Sequence, residues 1–174
     1  EDPVLCPRYV GMLIQGVDNK KKLPEFITHY LERGGVSSIN PIVDITNYVL
    51  LETGQPLHAF DHDKIDGNIR VRKALNGEAL LTINQLEIVF DGGELIIADN
   101  SGPLALAGIM GGHLSSTQEG STKIFLESAY FDPAAISGRA RSFGLNTDSS
   151  HRFERGADFG YTRNAAEYAA ALIM

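Results

Sequence analysis

Hydrophobic residues recur at helical spacing near both ends of the chain. The apolar positions of residues 23–33 predict a helix that ends at the glycine pair Gly34-Gly35. A second helix is predicted over residues 44–52, with Gly54 just beyond its end. The same spacing returns from Tyr161 onward and predicts a last helix.

The middle of the chain instead consists of short apolar runs separated by turn residues, which is typical of strands. Asn-Gly and Asp-Gly pairs stand at several of the junctions and favour tight turns. A further strand is predicted near the start, over residues 9–17. The strands predicted in the middle region cover residues 68–74, 86–90, 94–98, 104–109 and 123–130.

One more helix is predicted directly after these strands. Asp132 is a favourable N-cap, Pro133 suits the first helical position, and Gly144 follows a helix predicted to end near Phe143. Helices at both ends and a strand-rich centre favour an α+β fold over alternating βαβ units.

Composition and charge narrow the class of protein. The 174 residues carry a net charge of −7, so an extensive grip on a nucleic-acid backbone is not expected, although a small pocket for a nucleic-acid end is compatible with it. The single cysteine, Cys6, excludes an internal disulfide and suits a reducing cytosol. No apolar run is long enough to span a bilayer and no secretory signal is present, so a cytoplasmic location without membrane contact is expected.

Two histidines form the first candidate for chemistry. His58 and His62 are four residues apart, so on a helix they would share one face and could bind a metal ion. They would supply only two ligands, and Pro56 lies just upstream. A solvated His62 and a structural His58 are the alternatives.

Two further segments are rich in glycine or in polar residues. Gly108, Gly111 and Gly112 follow a predicted strand and suit either a sharp turn or a close approach to a ligand. In residues 144–156 the hydroxyl groups and an aspartate could cap a helix. The alternative to function there is an ion network among Arg152, Glu154 and Arg155.

Glu127 differs from these because it interrupts an otherwise apolar strand. An ionised carboxylate in such surroundings needs a hydrogen-bond donor, which either the scaffold or a ligand must supply. Arg139 and Arg152 are the scaffold candidates. Phosphate-binding loops, dinucleotide fingerprints, paired CxxC motifs and nucleophile elbows are all missing from the sequence.

These segments together resemble the beta chain of bacterial phenylalanyl-tRNA synthetase. The resemblance covers only the editing module of that chain, its third and fourth structural domains. It therefore implies that residues 1–174 are a single compact module from a longer beta chain, with an α+β fold and a β-sandwich-like centre flanked by helices. The matching stretches, in family order, are residues 6–9, 43–52, 54–61, 108–112 and 147–156.

The resemblance also implies an activity, the hydrolysis of tyrosine wrongly attached to phenylalanine tRNA. A synthetic pocket for phenylalanine rejects an added hydroxyl by only about a hundredfold, so a second pocket that recognises the hydroxyl is needed. By position, His58 and Thr147 would be catalytic, Glu127 would meet the tyrosine hydroxyl, Gly111 would leave room for the amino acid, and Ser149 would line the reacting end.

The implied partners are the 3′ end of phenylalanine tRNA carrying tyrosine, the rest of the beta chain and the alpha chain. No metal and no cofactor are expected in these residues, since ATP and magnesium act at the alpha-chain site. Neither DNA nor a membrane is expected as a partner. Two alternatives stay open, a non-catalytic module that bridges the tRNA-binding parts and a metal-dependent hydrolase that uses His58 and His62.

Overall fold

The computed structural model describes residues 2–174, which form two compact units. The strand-rich unit contains the described residues up to Arg8 together with Lys64–Ser116 and Tyr130–Ala157. The three-helix unit contains Tyr9–Asp63, Thr117–Ala129 and Asp158–Met174. Each unit is therefore assembled from three separate segments of the sequence.

Short helices and strands follow one another along the chain. In order they are β1 (Arg8–Gln15), α1 (Glu25–Arg33), α2 (Pro41–Thr53), β2 (Leu57–Asp61), a 3-10 turn (His62–Lys64), β3 (Arg70–Lys73), β4 (Ala79–Leu81), β5 (Glu87–Val89), β6 (Leu95–Ala98), β7 (Pro103–Leu106), β8 (Met110–Gly111), β9 (Lys123–Tyr130), α3 (Pro133–Ile136), α4 (Arg139–Ser142), α5 (Asp148–Arg155) and α6 (Thr162–Ile173).

In the three-helix unit, α1, α2 and α6 pack against one face of a three-stranded sheet with the order β1-β9-β2. Successive side chains of a strand point to opposite faces, so every second residue enters this core. Ile14, Ala59 and Leu126 do so, one from each strand. The intervening residues of the same strands face away from the helices.

The strand-rich unit contains a four-stranded sheet with the order β3-β6-β7-β8 and a separate pair formed by β4 and β5. A bridge between Thr82 and Gly112 connects the end of β4 to the end of β8. The helices α3, α4 and α5 follow, and the rings of Phe131 and Phe153 pack edge to face with their centroids 5.0 Å apart. The mixed fold with antiparallel sheets flanked by helices confirms the α+β prediction.

The helix starts and ends mostly follow the local signals of the sequence. Asn40 caps α2 by accepting from the Val43 N–H, and Gly54 ends that helix in the left-handed conformation. Asp132 caps α3 as predicted, because its side chain accepts from the Ala134 N–H at 2.8 Å. None of the described helices is both long and apolar enough to cross a membrane.

One local prediction is wrong, and one arrangement considered above does not form. The helix predicted over residues 133–143 is split into α3 and α4, because Gly138 takes a left-handed φ of 76°. Residues 57–61 form the strand β2, so His58 does not share a helix with His62.

Candidate active site

His58 and Glu127, both predicted as site residues, lie directly opposite each other on neighbouring strands. Strands β2 and β9 pair antiparallel, and the register sets His58 against Glu127 and Phe60 against Phe125. Residues opposite each other in such a pair project on the same side of the sheet. All four therefore lie on the face that points away from the helices.

The carboxyl group of Glu127 is buried, with 5% of the residue exposed. Burial raises its pKa to about 8, and this effect outweighs a hydrogen bond from Tyr9 that acts in the opposite direction. The carboxyl is therefore mostly protonated at pH 7, which corrects the expectation of an ionised carboxylate. Arg152 pairs with Asp148 at 3.0 Å instead of with Glu127.

The hydrogen-bond partner of Glu127 is a phenol supplied by the chain itself. The hydroxyl of Tyr9, on β1, donates to Oε2 of Glu127 at 2.9 Å. Because Oε2 accepts this bond, the acid proton belongs on Oε1. No described residue hydrogen-bonds to Oε1, so this O–H group can donate to a ligand.

The imidazole of His58 is the second group on this face. Its ring meets that of Phe60 edge to face, with 4.5 Å between the centroids. The residue as a whole is half-buried, but its Nε2 is sealed from water and has no hydrogen-bond partner among the described residues. Burial lowers the pKa of the ring to about 4, so His58 is neutral at pH 7 with one unsatisfied nitrogen.

Aromatic rings complete this face of the sheet. Phe125 lies between the two outer strands, 6.5 Å from Phe60 between ring centroids. A Cβ atom at Gly11 would overlap the Phe125 ring, so glycine at this position of β1 leaves the space that the ring occupies. The result is an apolar surface that surrounds one carboxyl and one imidazole.

The other three predicted residues, Gly111, Thr147 and Ser149, lie in the strand-rich unit. Gly111 is buried in β8 opposite Ala105. Ser149 is half-buried on α5, and its side chain makes no hydrogen bond to the described residues. The structure thus divides the predicted set between the units, with His58 and Glu127 in one and these three in the other.

Thr147 has a defined structural role at the start of α5. Its hydroxyl accepts from the Ser150 N–H at 3.1 Å and donates to the Ile109 carbonyl at 3.0 Å. The first bond caps the helix, and the second connects the helix to the turn before β8. The hydroxyl proton is therefore already used within the fold.

The glycines near β8 also have structural roles. Gly108 has a φ of 68°, and a Cβ atom there would come within 3.0 Å of the rings of Phe131 and Phe153. A Cβ atom at Gly112 would come within 2.5 Å of the Leu104 carbonyl oxygen. At Gly108 the turn explanation of the glycine cluster is confirmed, whereas Gly112 is restricted by its close contact with the Leu104 backbone.

The metal hypothesis fails on its geometric premise. It required His58 and His62 on one helix, but His58 lies on β2 and His62 begins the turn that follows. Among the described residues, no three His, Cys, Asp or Glu side chains are placed to hold a metal.

Tyr9 is the functional candidate that the sequence analysis did not single out. It lies 118 positions from Glu127, so no local pattern pairs the two residues. The available signal was the pair Tyr9 and Gly11, two residues apart on a predicted strand and therefore on one face.

Comparison with known proteins defines the class first. Residues 5–174 match the B3/4 domain, and the chain belongs to this family. It is 50% identical over 172 residues to the phenylalanine–tRNA ligase beta subunit of Methylococcus capsulatus, covering 99% of this chain and 22% of that protein. For the same subunit of Dechloromonas aromatica the identity is 49% over 172 residues, again 99% of this chain and 22% of that protein.

The subunit from Hahella chejuensis is 48% identical over 174 residues, which is 100% of this chain and 22% of the relative. The chain therefore spans only about a fifth of the length of the relatives that it matches. These matches confirm the resemblance to the bacterial beta chain described above.

A solved structure shows the same fold. It is an N-terminal fragment of the phenylalanyl-tRNA synthetase beta subunit from Pyrococcus horikoshii, with a TM-score of 0.58. The match covers 99% of this chain and 46% of that one, at 12% sequence identity. At this identity the comparison supports the architecture alone.

Proposed function

We propose that this chain is the editing module of a bacterial phenylalanine–tRNA ligase beta subunit, and that it hydrolyses the ester of tyrosine misattached to phenylalanine tRNA. The observation that carries the proposal is the polar pair on the aromatic face of the three-stranded sheet. Glu127 already holds one phenol there, that of Tyr9 at 2.9 Å, and His58 keeps a buried nitrogen without a partner. A carboxyl group for the substrate hydroxyl and an imidazole for a water molecule are the groups that such a hydrolysis needs.

Recognition of tyrosine is assigned to Oε1 of Glu127. With Oε2 accepting from Tyr9, the protonated carboxyl presents its O–H to the incoming phenol oxygen. Phenylalanine has no oxygen at this position and leaves the buried O–H without a partner. A site that is built to hydrogen-bond a substrate hydroxyl rejects the analogue without it by about 10⁴–10⁵.

Hydrolysis is assigned to water positioned by His58. The neutral ring can accept a hydrogen bond from water at Nδ1, the ring nitrogen that is not sealed, when its proton lies on Nε2. An aminoacyl ester is an activated substrate, so positioning can accelerate its hydrolysis without a protein nucleophile. Thr147, whose hydroxyl also caps α5, and Ser149 are proposed at the reacting end, and Gly111 is proposed to leave room for the amino acid.

The partners follow from the same proposal. They are the tyrosine-bearing 3′ end of phenylalanine tRNA, the rest of the beta chain and the alpha chain. The reaction proposed here is ester hydrolysis by residues of this chain, and it requires neither ATP nor a metal ion. The synthetic reaction with ATP and magnesium is assigned to the alpha chain.

Substitution of Glu127 tests the recognition step in the full synthetase. Glu127→Ala is expected to lower kcat/KM for deacylation of tyrosine-charged tRNA by about 5–150-fold, the cost of leaving the buried phenol hydroxyl without a partner. Deacylation of phenylalanine-charged tRNA should change little. Glu127→Gln should keep most of the tyrosine preference, because the amide is neutral and offers both an acceptor and a donor, as the protonated carboxyl does.

The matched control is Glu94→Gln, a substitution of another buried glutamate that lies in the strand-rich unit. It should leave the ratio of the two deacylation rates unchanged. An unchanged ratio in Glu127→Ala would remove Glu127 from the recognition site. Equal loss in Glu127→Gln and Glu127→Ala would show that the carboxylate, not the acid, recognises tyrosine.

A further inference from the structure

The segment from Arg139 to Arg155 is basic within an acidic chain. It holds four arginines and only two acidic residues, whereas the whole chain has a net charge of −7. The two acidic residues are Asp148 and Glu154. On a chain with a net negative charge, this local excess of arginine favours the binding of an anion at this segment.

This segment encloses a cavity in the strand-rich unit, formed by α4, α5 and the loop between them. Its volume is about 370 Å³, which is large enough for a small polar group of a larger ligand, together with the atoms next to that group. The polar side chains that line it are Arg141, Asn146, Ser150, His151, Glu154 and Arg155.

Arg155 is held in one orientation at the wall of this cavity. Its Nη1 donates to the backbone carbonyl of His151 at 2.8 Å. The same Nη1 lies 3.1 Å from Nδ1 of the His151 ring. The other ring nitrogen of His151 hydrogen-bonds to Oδ1 of Asn146. Both N–H groups of Nη1 are engaged by His151, whereas Nε and Nη2 have no acceptor among the described residues. The edge of a guanidinium that carries Nε and Nη2 can bind two oxygens of one phosphate.

Arg141 provides a second cation on the opposite element. It is exposed, and its guanidinium forms no ion pair or hydrogen bond with the described residues. Glu154 is the one acid in the lining, and its Oε1 accepts from the Gly138 N–H at 3.2 Å. The cavity therefore combines two guanidinium groups with one carboxylate. Of the two arginines, Arg155 is held in one orientation by its bonds to His151.

We infer that this cavity binds a backbone phosphate of the single-stranded 3′ end of an RNA, with Arg141 and Arg155 as its ligands; this rests on the proposed function. Thr147, at the reacting end in that proposal, begins the same helix that Arg155 ends. Eight residues of α-helix separate the two by about 12 Å, the scale of a few nucleotides. A positive groove that follows the backbone is the usual way in which proteins hold single strands without reading their sequence.

Alanine variants of the full synthetase test this site with two substrates. Arg141→Ala and Arg155→Ala should each raise KM for deacylation of tyrosine-charged tRNA about tenfold, in keeping with the loss of a charge-assisted contact, and leave kcat nearly unchanged. Hydrolysis of tyrosyl-adenosine, which carries the ester but no phosphate, should be unaffected. The control is Arg139→Ala, an exposed arginine of the same segment outside the cavity.

A binding measurement separates this inference from the proposed function. Fluorescence anisotropy with a labelled, 5′-phosphorylated CCA trinucleotide requires no hydrolysis. Arg141→Ala should weaken its affinity about tenfold and make the dependence of log affinity on log salt shallower by about 0.7, the value for one phosphate on a single strand. Arg139→Ala should bind as the wild type does.

The possible outcomes are distinct. If the wild type hydrolyses neither substrate but Arg141→Ala weakens trinucleotide binding, the phosphate site stands and the proposed function fails. If Arg141→Ala and Arg155→Ala behave like Arg139→Ala in both KM and trinucleotide affinity, the phosphate site is overturned. Since the side chain of Arg141 makes no described hydrogen bond, its removal should not alter folding, and thermal unfolding of the variant checks this.

Discussion

At the scale of single residues, the sheet face holds two ionisable side chains that are both neutral at pH 7. Glu127 is protonated because burial raises its pKa to about 8, and His58 is unprotonated because burial lowers its pKa to about 4. Each group is kept from its charged form by the same apolar surroundings. A neutral pair can offer hydrogen bonds to a phenol and to water without attracting ions.

These two shifts predict opposite effects of pH on the free energy of unfolding. Glu127 binds its proton more tightly in the folded state, so its contribution is complete below about pH 4.5 and is lost as the pH rises through about 8. His58 binds its proton more tightly when unfolded, so its contribution is lost as the pH falls from about 6.5 to about 4. The stability should therefore decline between pH 6.5 and 8.

Urea unfolding of the chain across this pH range checks the prediction. Glu127→Gln should abolish the decline above pH 6.5, because the amide does not titrate. His58→Phe should extend the decline down to about pH 4.5, because the opposing contribution of the imidazole between about pH 4 and 6.5 is removed. A wild-type stability that is flat from pH 6.5 to 8 would contradict the protonation state assigned to Glu127.

The sequence predicts one of these two residues more directly than the other. Glu127 stands out because a carboxylate interrupts an apolar strand, but its protonation state depends on burial that only the fold creates. Its partner Tyr9 could not be predicted, since the two are 118 positions apart and meet only through the order of strands β1 and β9. Long-range pairing of this kind has no local signature.

At the scale of elements, the predictions succeed where one local signal is strong. Strand β9 has the predicted bounds, and α2 ends at Gly54 as its left-handed cap predicts. β2 was not predicted because it is only five residues long and directly follows a proline. The four-residue spacing of His58 and His62 is also compatible with a helix. The pairing with β9 decides its conformation.

The turn before β8 gives a test of packing at this scale. Gly108→Ala should lower the free energy of unfolding by more than Gly144→Ala, although both positions have a φ near 70°. At Gly144 no atom lies within 4 Å of an added Cβ, so only the backbone cost of about 1 kcal/mol applies. At Gly108 the added Cβ also meets Phe131 and Phe153 at 3.0 Å.

Urea unfolding followed by circular dichroism measures the two variants under the same conditions. The glycine at 144 serves as the matched control for the left-handed backbone alone. If Gly108→Ala were no more destabilising than Gly144→Ala, the close packing of the two phenylalanine rings around this turn would not restrict the position.

At the scale of the whole molecule, the order of the segments places the candidate residues in two units. His58 and Glu127 belong to the three-helix unit, and Gly111, Thr147 and Ser149 belong to the strand-rich unit. The chain passes between the units several times, so neighbours in sequence do not define either one. The resemblance to a family indicates these residues from the sequence, whereas only the fold divides them between two units.

The most direct test of the proposed editing activity is the single-turnover hydrolysis of tyrosine-charged phenylalanine tRNA by the full synthetase. His58→Ala should slow this hydrolysis by about 10–10³-fold, the range for loss of a group that positions water or supports the transition state. Charging of the tRNA with phenylalanine should stay at the wild-type rate, since that reaction is assigned to the alpha chain. Hydrolysis by His58→Ala at the wild-type rate would contradict the role of this imidazole, and a wild-type synthetase that left the tyrosine ester intact would contradict the editing function itself.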